Sequence, residues 1–274
     1  MLMKGLVDLH THTKYSQDSK NEPENSCKRA VELGLKGIAF TDHSNMLWVD
    51  RKDQVSDIVA CYDEVVKLRE KYPGLEILTG VELGEGIRND SEVKRLLSAR
   101  DYDVVICSVH HTLFGRQKIP YSEIDFSVES DQFLLDYMLD YLDEVKQTVE
   151  KIEGDVIAHL TCPLRYIEGK FKRKVDESKL KGIVEEILRL IIKKDKALEV
   201  NTSGLGGFYG KYLPGEWVVQ LYYDLGGRKI TLGSDAHAFE RVGNYFDETI
   251  EMLKKIGFDK VYYYKRRQPI AIEI

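Results

Sequence analysis

The order of local patterns along the chain predicts an α/β fold built from repeated strand–helix units. Three observations carry that prediction. Short apolar runs alternate with helical periodicities along almost the whole 274-residue chain. Such alternation implies parallel strands, in a barrel or a doubly wound sheet. Residues able to ligate metals stand at the carboxyl ends of many of these runs. That favours a barrel, because only closure brings all those ends together on one face, whereas an open sheet places its site at one switch point. Third, there is no linker, internal repeat or low-complexity tract, so residues 1–274 read as a single domain with length enough for one large core.

The first strand is the apolar run Leu6-Val7, which leads into Asp8-Leu9-His10-Thr11-His12-Thr13. Pro23 suits a first helical turn and Gly34 a helix end, with Cys27, Ala30, Val31 and Leu33 on one face. Gly37 to Thr41 is a short buried strand ending at Asp42-His43-Ser44. Ile58, Tyr62, Val65 and Arg69 mark a second helix, which Pro73-Gly74 stops. Leu75 to Leu83 is a strand ending at Gly80-Val81-Glu82, and Ser91 to Ala99 a short helix. Asp103 to Val109 is a strand ending at His110-His111, followed by a polar and aromatic loop over 112–128. Leu134, Met138, Tyr141, Val145 and Val149 fall at helical spacing. Asp155 to Ala158 is a strand ending at His159; a helix is expected over 177–193. Ala197 to Val200 is a strand ending at Asn201, and a helix is expected over 214–225. Lys229 to Leu232 leads into Gly233-Ser234-Asp235-Ala236-His237. A last helix over 246–256 and a final strand over 260–264 close the chain.

Apolar content of 43% and charged content of 31% describe an ordinary globular protein. A net charge of −6 argues against nucleic-acid binding, which usually needs a basic face. No run of apolar residues is long enough for a membrane helix. The start lacks a secretory core and a small-residue cleavage site, so the protein reads as cytoplasmic. The cysteines Cys27, Cys61, Cys107 and Cys162 are scattered without a Cys-x-x-Cys, so reduced thiols are expected, with Cys107 in the core.

All seven histidines, His10, His12, His43, His110, His111, His159 and His237, fall at or just after an expected strand end. Glu82, Asp42 and Asp235 occupy equivalent places. Two histidines one residue apart on an extended chain point the same way, which suits a shared metal ion. A lone His-x-His is weak; its value lies in the other strand ends. Imidazoles with carboxylates are the donor set of zinc, iron and manganese enzymes, whereas structural zinc prefers cysteine.

These motifs, taken in order from residue 8 to residue 237, resemble those of the polymerase and histidinol phosphatase (PHP) superfamily. They are Asp8 to Thr13, Thr41-Asp42-His43-Ser44, Gly80-Val81-Glu82, Ser108-Val109-His110, Ala158-His159 and Gly233 to His237. Val200 to Gly204 and Gly227 to His237 resemble its histidinol-phosphatase branch. The resemblance implies a distorted (β/α)7 barrel with a trinuclear centre of divalent zinc, manganese or iron. Carried over motif by motif, it implies one metal on His10, His12, Glu82 and Asp235. Glu82 would bridge to a second metal on His110 and His159. Asp18, His43 and His237 would hold the third. Glu82, His110, Asp235 and Asp42 are the expected catalytic groups, with Asp42 holding a neighbouring ligand in place.

Three divalent ions bring about +6 and three ionised carboxylates about −3, leaving roughly +3 for a phosphate dianion and a bridging hydroxide. That favours a small phosphomonoester, attacked by water activated between two metals. L-Histidinol phosphate, a step of histidine biosynthesis, is the implied substrate. Arg165 is the expected cationic fork on the phosphate, and His111 either touches substrate or packs. The basic run Lys170, Lys172, Arg173, Lys174 reads as solvated. Phe114, Tyr121, Phe208, Tyr209 and Tyr212 are expected to shape the pocket for the alcohol, while Gly204 to Gly207 reads as turn chemistry. The segment after Ser203 lacks the basic residue expected in close relatives of that branch. Rival readings are a phosphoesterase of the same superfamily acting on nucleotides or oligonucleotides, a binuclear amidohydrolase, and a non-enzymatic metal-binding barrel. The amidohydrolase reading needs a lysine after a middle strand, and Ser108-Val109-His110 and Ala158-His159 offer none.

Overall fold

The computed structural model describes residues 3, 5–47, 53–114 and 119–274. Among these residues, seven barrel staves run in parallel. They are β1 (Val7–Asp8), β2 (Gly37–Phe40) with its continuation β3 (His43–Asn45), β4 (Glu76–Gly84), β5 (Val104–Ser108), β6 (Val156–Ile157), β7 (Ala197–Asn201) and β8 (Ile230–Gly233). The second stave is interrupted at Thr41-Asp42; β2 pairs β4 at Gly37↔Glu76 and β3 pairs it again at His43↔Glu82. The seam closes between the first and last staves. Leu9 N–H donates to Leu232 O (3.0 Å), Asp235 N–H to His10 O (2.8 Å) and His12 N–H to Ala236 O (2.9 Å). With two-residue staves at β1 and β6, this is a nearly closed and distorted barrel.

Among the described residues, seven α-helices pack outside it: α1 (Pro23–Leu33), α2 (Gln54–Lys71), α3 (Asp90–Ala99), α4 (Asp131–Lys151), α5 (Lys181–Lys193), α6 (Glu216–Asp224) and α7 (Phe246–Ile256). Their ends follow local chemistry. Pro23 opens α1, and Gly34 ends it at φ 72°, a left-handed conformation that costs glycine little. Side chains of Asp53, Asn89 and Ser130 accept from backbone N–H groups at the starts of α2, α3 and α4. Helix α4 buries Leu134, Met138, Tyr141, Val145 and Val149, the expected stripe.

Two helices differ from expectation. The buried face of α2 is Val55, Ile58, Cys61, Val65 and Leu68, so Tyr62 and Arg69 lie beside it. Arg69 reaches past the face to donate to Ile77 O (2.9 Å) and Asp103 (2.8 Å). Helix α5 starts at Lys181 because Asp176 caps a separate short turn over Glu177–Lys179. All four cysteines are free and buried.

The expected final strand is the first half of an antiparallel hairpin, β9 (Lys260–Lys265) with β10 (Gln268–Glu273). This hairpin plugs the amino-terminal end of the barrel. Tyr263 and Tyr264 enter the interior cluster with Val7, Leu9, Ala39, Leu78, Val104, Ile106 and Val156. Each such burial removes apolar area from water, at roughly 25 cal/mol per Å². Arg267 N–H donates to Asp103 O (2.9 Å), and the Arg267 side chain holds Asp155 (2.5 Å). The carboxyl end is therefore the one left open for a site.

Candidate metal centre

The carboxyl ends of six staves deliver nine donors to one spot. From β1 come His10 and His12, whose Nε2 atoms stand 3.1 Å apart. Glu82, fully buried at the end of β4, lies 3.4 Å from His10 and 3.6 Å from His12. Asp235 after β8 lies 3.2 Å from His12 Nε2 and 3.8 Å from His10 Nε2. The other oxygen of Glu82 faces His159 (2.9 Å) and His110 (3.1 Å). Asp18 sits between His237 (3.2 Å) and His43 (3.5 Å), and His43 Nδ1 is 2.6 Å from Glu82.

Hydrogen bonds behind the ring decide which nitrogen faces in. His10 Nδ1–H donates to Glu199 Oε1 (2.6 Å). Ser16 gives its proton to Asp42 (2.6 Å), so it accepts from His12 Nδ1–H (3.0 Å). His110 Nδ1–H reaches Asn45 Oδ1 (3.1 Å), and His237 Nδ1–H reaches the Asp235 carbonyl (3.0 Å). Each therefore aims the lone pair of Nε2 at its neighbours. Two lone pairs 3.1 Å apart, facing two carboxylates, repel one another unless a cation stands between them. Donors at zinc-like bond lengths of about 2.0–2.2 Å stand roughly 3–3.6 Å apart. The spacings here fit divalent ions, with His10, His12 and Glu82 as one group and His43, Glu82 and His110 as another.

Protons show the same demand for positive charge. Burial pushes His10 down, but the charges of Glu199, Glu82 and Asp235 together carry it well above the usual histidine value. His43 behaves likewise: Glu82 and Asp18 outweigh its burial. Burial, with His237 and His43 beside it, drives His12 down to about 3. Glu82 and Asp235 are held well below the carboxylate range against their burial, because histidines surround them.

A cavity of about 850 Å³ opens beside this ring, and Asp235, His237, Arg165 and Ser203 all line it. The Arg165 guanidinium donates to the Ser203 hydroxyl, which lies 2.5 Å from Asn201 Oδ1 and 3.1 Å from Asp235 Oδ2. Tyr166, Phe208 and Tyr209 supply aromatic wall.

The PHP domain model matches residues 8–203, which span the ring up to His159 and the Ser203 shelf. The chain belongs to the PHP family. A probable histidinol-phosphatase of Thermotoga maritima is 30% identical over 93% of this chain and 94% of its own length. A histidinol-phosphatase of Lactococcus lactis is 28% identical over 93% of each. The crystal structure of histidinol phosphate phosphatase from Lactococcus lactis, complexed with zinc, L-histidinol and phosphate, superposes with a TM-score of 0.78 at 24% identity. That match covers 97% of this chain and 98% of the other, and it shows the PHP barrel fold.

Within this PHP barrel, several expected placements need correction. Asp42 does not face the cavity. Its carboxylate is filled by Thr13 N–H (2.7 Å), the Thr13 hydroxyl (2.7 Å) and Ser16, so it reaches His12 only through Ser16. Touching substrate is thus not open to it; steadying a ligand is. His111 is 1% exposed, bridges Pro120, and takes its place beside Glu85, so of its two expected roles packing is the one it fills. Phe114 packs on Phe133 and Tyr137, and Tyr212 faces a separate small cavity. Tyr121, Phe208 and Tyr209 do line the site. The basic run divides. Arg173 clamps the carbonyls of Phe126, Ser127 and Glu129, Lys172 holds the Phe208 carbonyl, and Lys170 enters the cavity.

Three supporting residues escape the strand-end pattern. Glu199 orients His10 and also accepts from His159 N–H (2.9 Å). Glu85 accepts from His110 N–H (2.5 Å) and His111 N–H (3.1 Å). Asn45 orients His110. Glu199 carried a signal: a carboxylate inside an apolar strand has to find a partner. Gly233 makes its reach possible, since a Cβ there would stand 2.2 Å from Glu199 Oε1.

Proposed function

We propose that this chain is a metal-dependent phosphomonoesterase that hydrolyses L-histidinol phosphate to L-histidinol and phosphate. In this reading one domain over residues 1–274 serves a cytoplasmic step of histidine biosynthesis. The observation that carries the proposal is the inward-facing set of lone pairs and carboxylates beside an arginine-walled cavity. The full-length resemblance to histidinol-phosphatases supports the substrate.

In this reading His10, His12, Glu82 and Asp235 hold one divalent ion, Glu82, His110 and His159 a second, and Asp18, His43 and His237 a third. Zinc, manganese and iron all suit these donors. When bound, such ions supply an activated water at neutral pH and neutralise charge on the phosphate. The chain's own residues do the rest. Glu199 keeps a proton on His10 Nδ1, so that Nε2 stays free to coordinate. Asp42 does the same for His12 through Ser16. Arg165, steadied by Ser203, presents its fork to phosphate oxygens. Tyr166, Phe208 and Tyr209 border the space for the alcohol and limit water.

The test is turnover of L-histidinol phosphate by metal-reconstituted protein, beside a generic aryl phosphate. We expect a much higher kcat/KM for the former. Equal or slower hydrolysis of L-histidinol phosphate defeats the substrate reading, and three bound metals without any phosphatase activity defeats the enzyme reading.

A further inference from the structure

We propose that Arg241, on the turn Phe239–Arg241 after the last stave, is a second cationic grip for the substrate phosphate. The inference rests on the phosphomonoesterase reading and adds a residue to it. Arg241 lines the same cavity as Arg165, Asp235 and His237. Its side chain makes no hydrogen bond or ion pair with any described residue. By contrast, Arg69, Arg88, Arg95, Arg100, Arg173, Arg189 and Arg267 are each tied to a carboxylate.

The base of this side chain is fixed although its tip is free. Arg241 N–H donates to Ala238 O (3.0 Å), and two residues on Gly243 N–H donates to Asp8 (2.9 Å), which also holds Ser234. The turn is thus bolted, through Asp8 of the first stave, to Ser234 next to Asp235, within a few residues of His237. The loop from Ser203 to Gly210 adds no cation of its own to the wall. Its Gly206 borders the exposed Arg241 guanidinium, where a Cβ would stand 3.5 Å from Nη1, in ordinary contact. Arg165 already gives one N–H to Ser203, so a phosphate dianion has oxygens to spare for a second fork. Lys170 is the other cation on this wall, and its ammonium rests 5.0 Å above the Phe171 ring.

The test titrates inorganic phosphate calorimetrically into the metal-loaded full chain, for wild type, Arg241→Ala, Arg241→Lys and Arg266→Ala. Arg266 sits on the hairpin turn at the far end of the barrel and serves as control. We expect Arg241→Ala to weaken phosphate binding about tenfold, as for loss of one charge-assisted contact. Arg241→Lys should recover part of the loss, because charge returns without the fork, and Arg266→Ala should bind as wild type. With L-histidinol phosphate, the alanine variant should show a raised KM and a smaller change in kcat. Unchanged phosphate binding in Arg241→Ala overturns the inference, and so does a raised KM without weaker phosphate binding, which would place the arginine on the alcohol. An Arg241-dependent phosphate site in a protein that does not prefer L-histidinol phosphate would sink the substrate reading and leave Arg241 standing.

Discussion

The two ends of the barrel solve opposite problems with the same staves. At the amino end, the β9–β10 hairpin drives Tyr263 and Tyr264 into an apolar interior and ties its turn to Asp103 and Asp155. There apolar side chains meet apolar neighbours, and the Arg267 guanidinium meets a carboxylate. At the carboxyl end, histidine nitrogens and carboxylates face each other within 4 Å, and His10, His12, His110 and His237 are each aimed by a hydrogen bond behind them. His159 and Asp235 are held there at φ 27° and 53°, conformations that side-chain-bearing residues rarely adopt. One end gathers stability; the other spends it on a ring that closes only around positive charge.

Substitutions can break this contrast. The largest effect should come from His12→Ala. We expect turnover to fall on the order of 10³-fold or more, with one metal lost and the circular dichroism spectrum kept. An active variant would remove His12 from the ring. Tyr263→Ala attacks the other end. It should cost about 3 kcal/mol of unfolding free energy in denaturant titrations, with kcat per folded molecule close to wild type. A large fall in kcat would mean that the two ends are coupled. Glu199→Gln should be milder, lowering metal affinity or activity roughly 10–100-fold by loosening His10; equal metal binding by wild type and variant would count against that role.

The smallest effect is a pH dependence that separates metal-free from metal-loaded protein. In the metal-free ring, His10, His43 and His237 have raised affinities for protons. Their stabilisation is complete below the ordinary histidine value of about 6.5 and is lost as pH rises through the raised values. Glu82 and Asp235 are depressed, so their contribution is present above about 4 and fades in acid. Melting temperature without metal should therefore peak near pH 5–6 and decline toward pH 8. With metal it should rise over that interval, as protons stop competing for the nitrogens. Identical profiles with and without metal would remove the ring's coupling to protons.

The barrel was largely legible because strand runs and helical stripes repeat in order, and the ring because its donors stand at strand ends. The hairpin plug was only half legible. Lys260 to Tyr264 reads as a strand, but nothing local says that its tyrosines fill a barrel. Helix faces shifted where the continuous period outweighs single aromatic residues, as at Cys61 and Leu68 of α2. Glu85 and Asn45 were hidden because their work is contact across the fold, with His110 more than twenty positions away. Asp8, whose role its sequence position leaves open, joins Ser234 and Gly243 to the first strand.

That tie at Asp8 bears on how the molecule comes into being. His10 and His12 precede Asp235, and the segment that shuts the seam against them, by more than 220 residues, so they are synthesised well before it. A nascent chain therefore carries these two histidines through more than 220 further residues without the carboxylate that faces them. Contacts between such distant positions slow folding, so maturation of the enzyme should hinge on when that last stave docks, and metal supplied before then meets an unfinished cage.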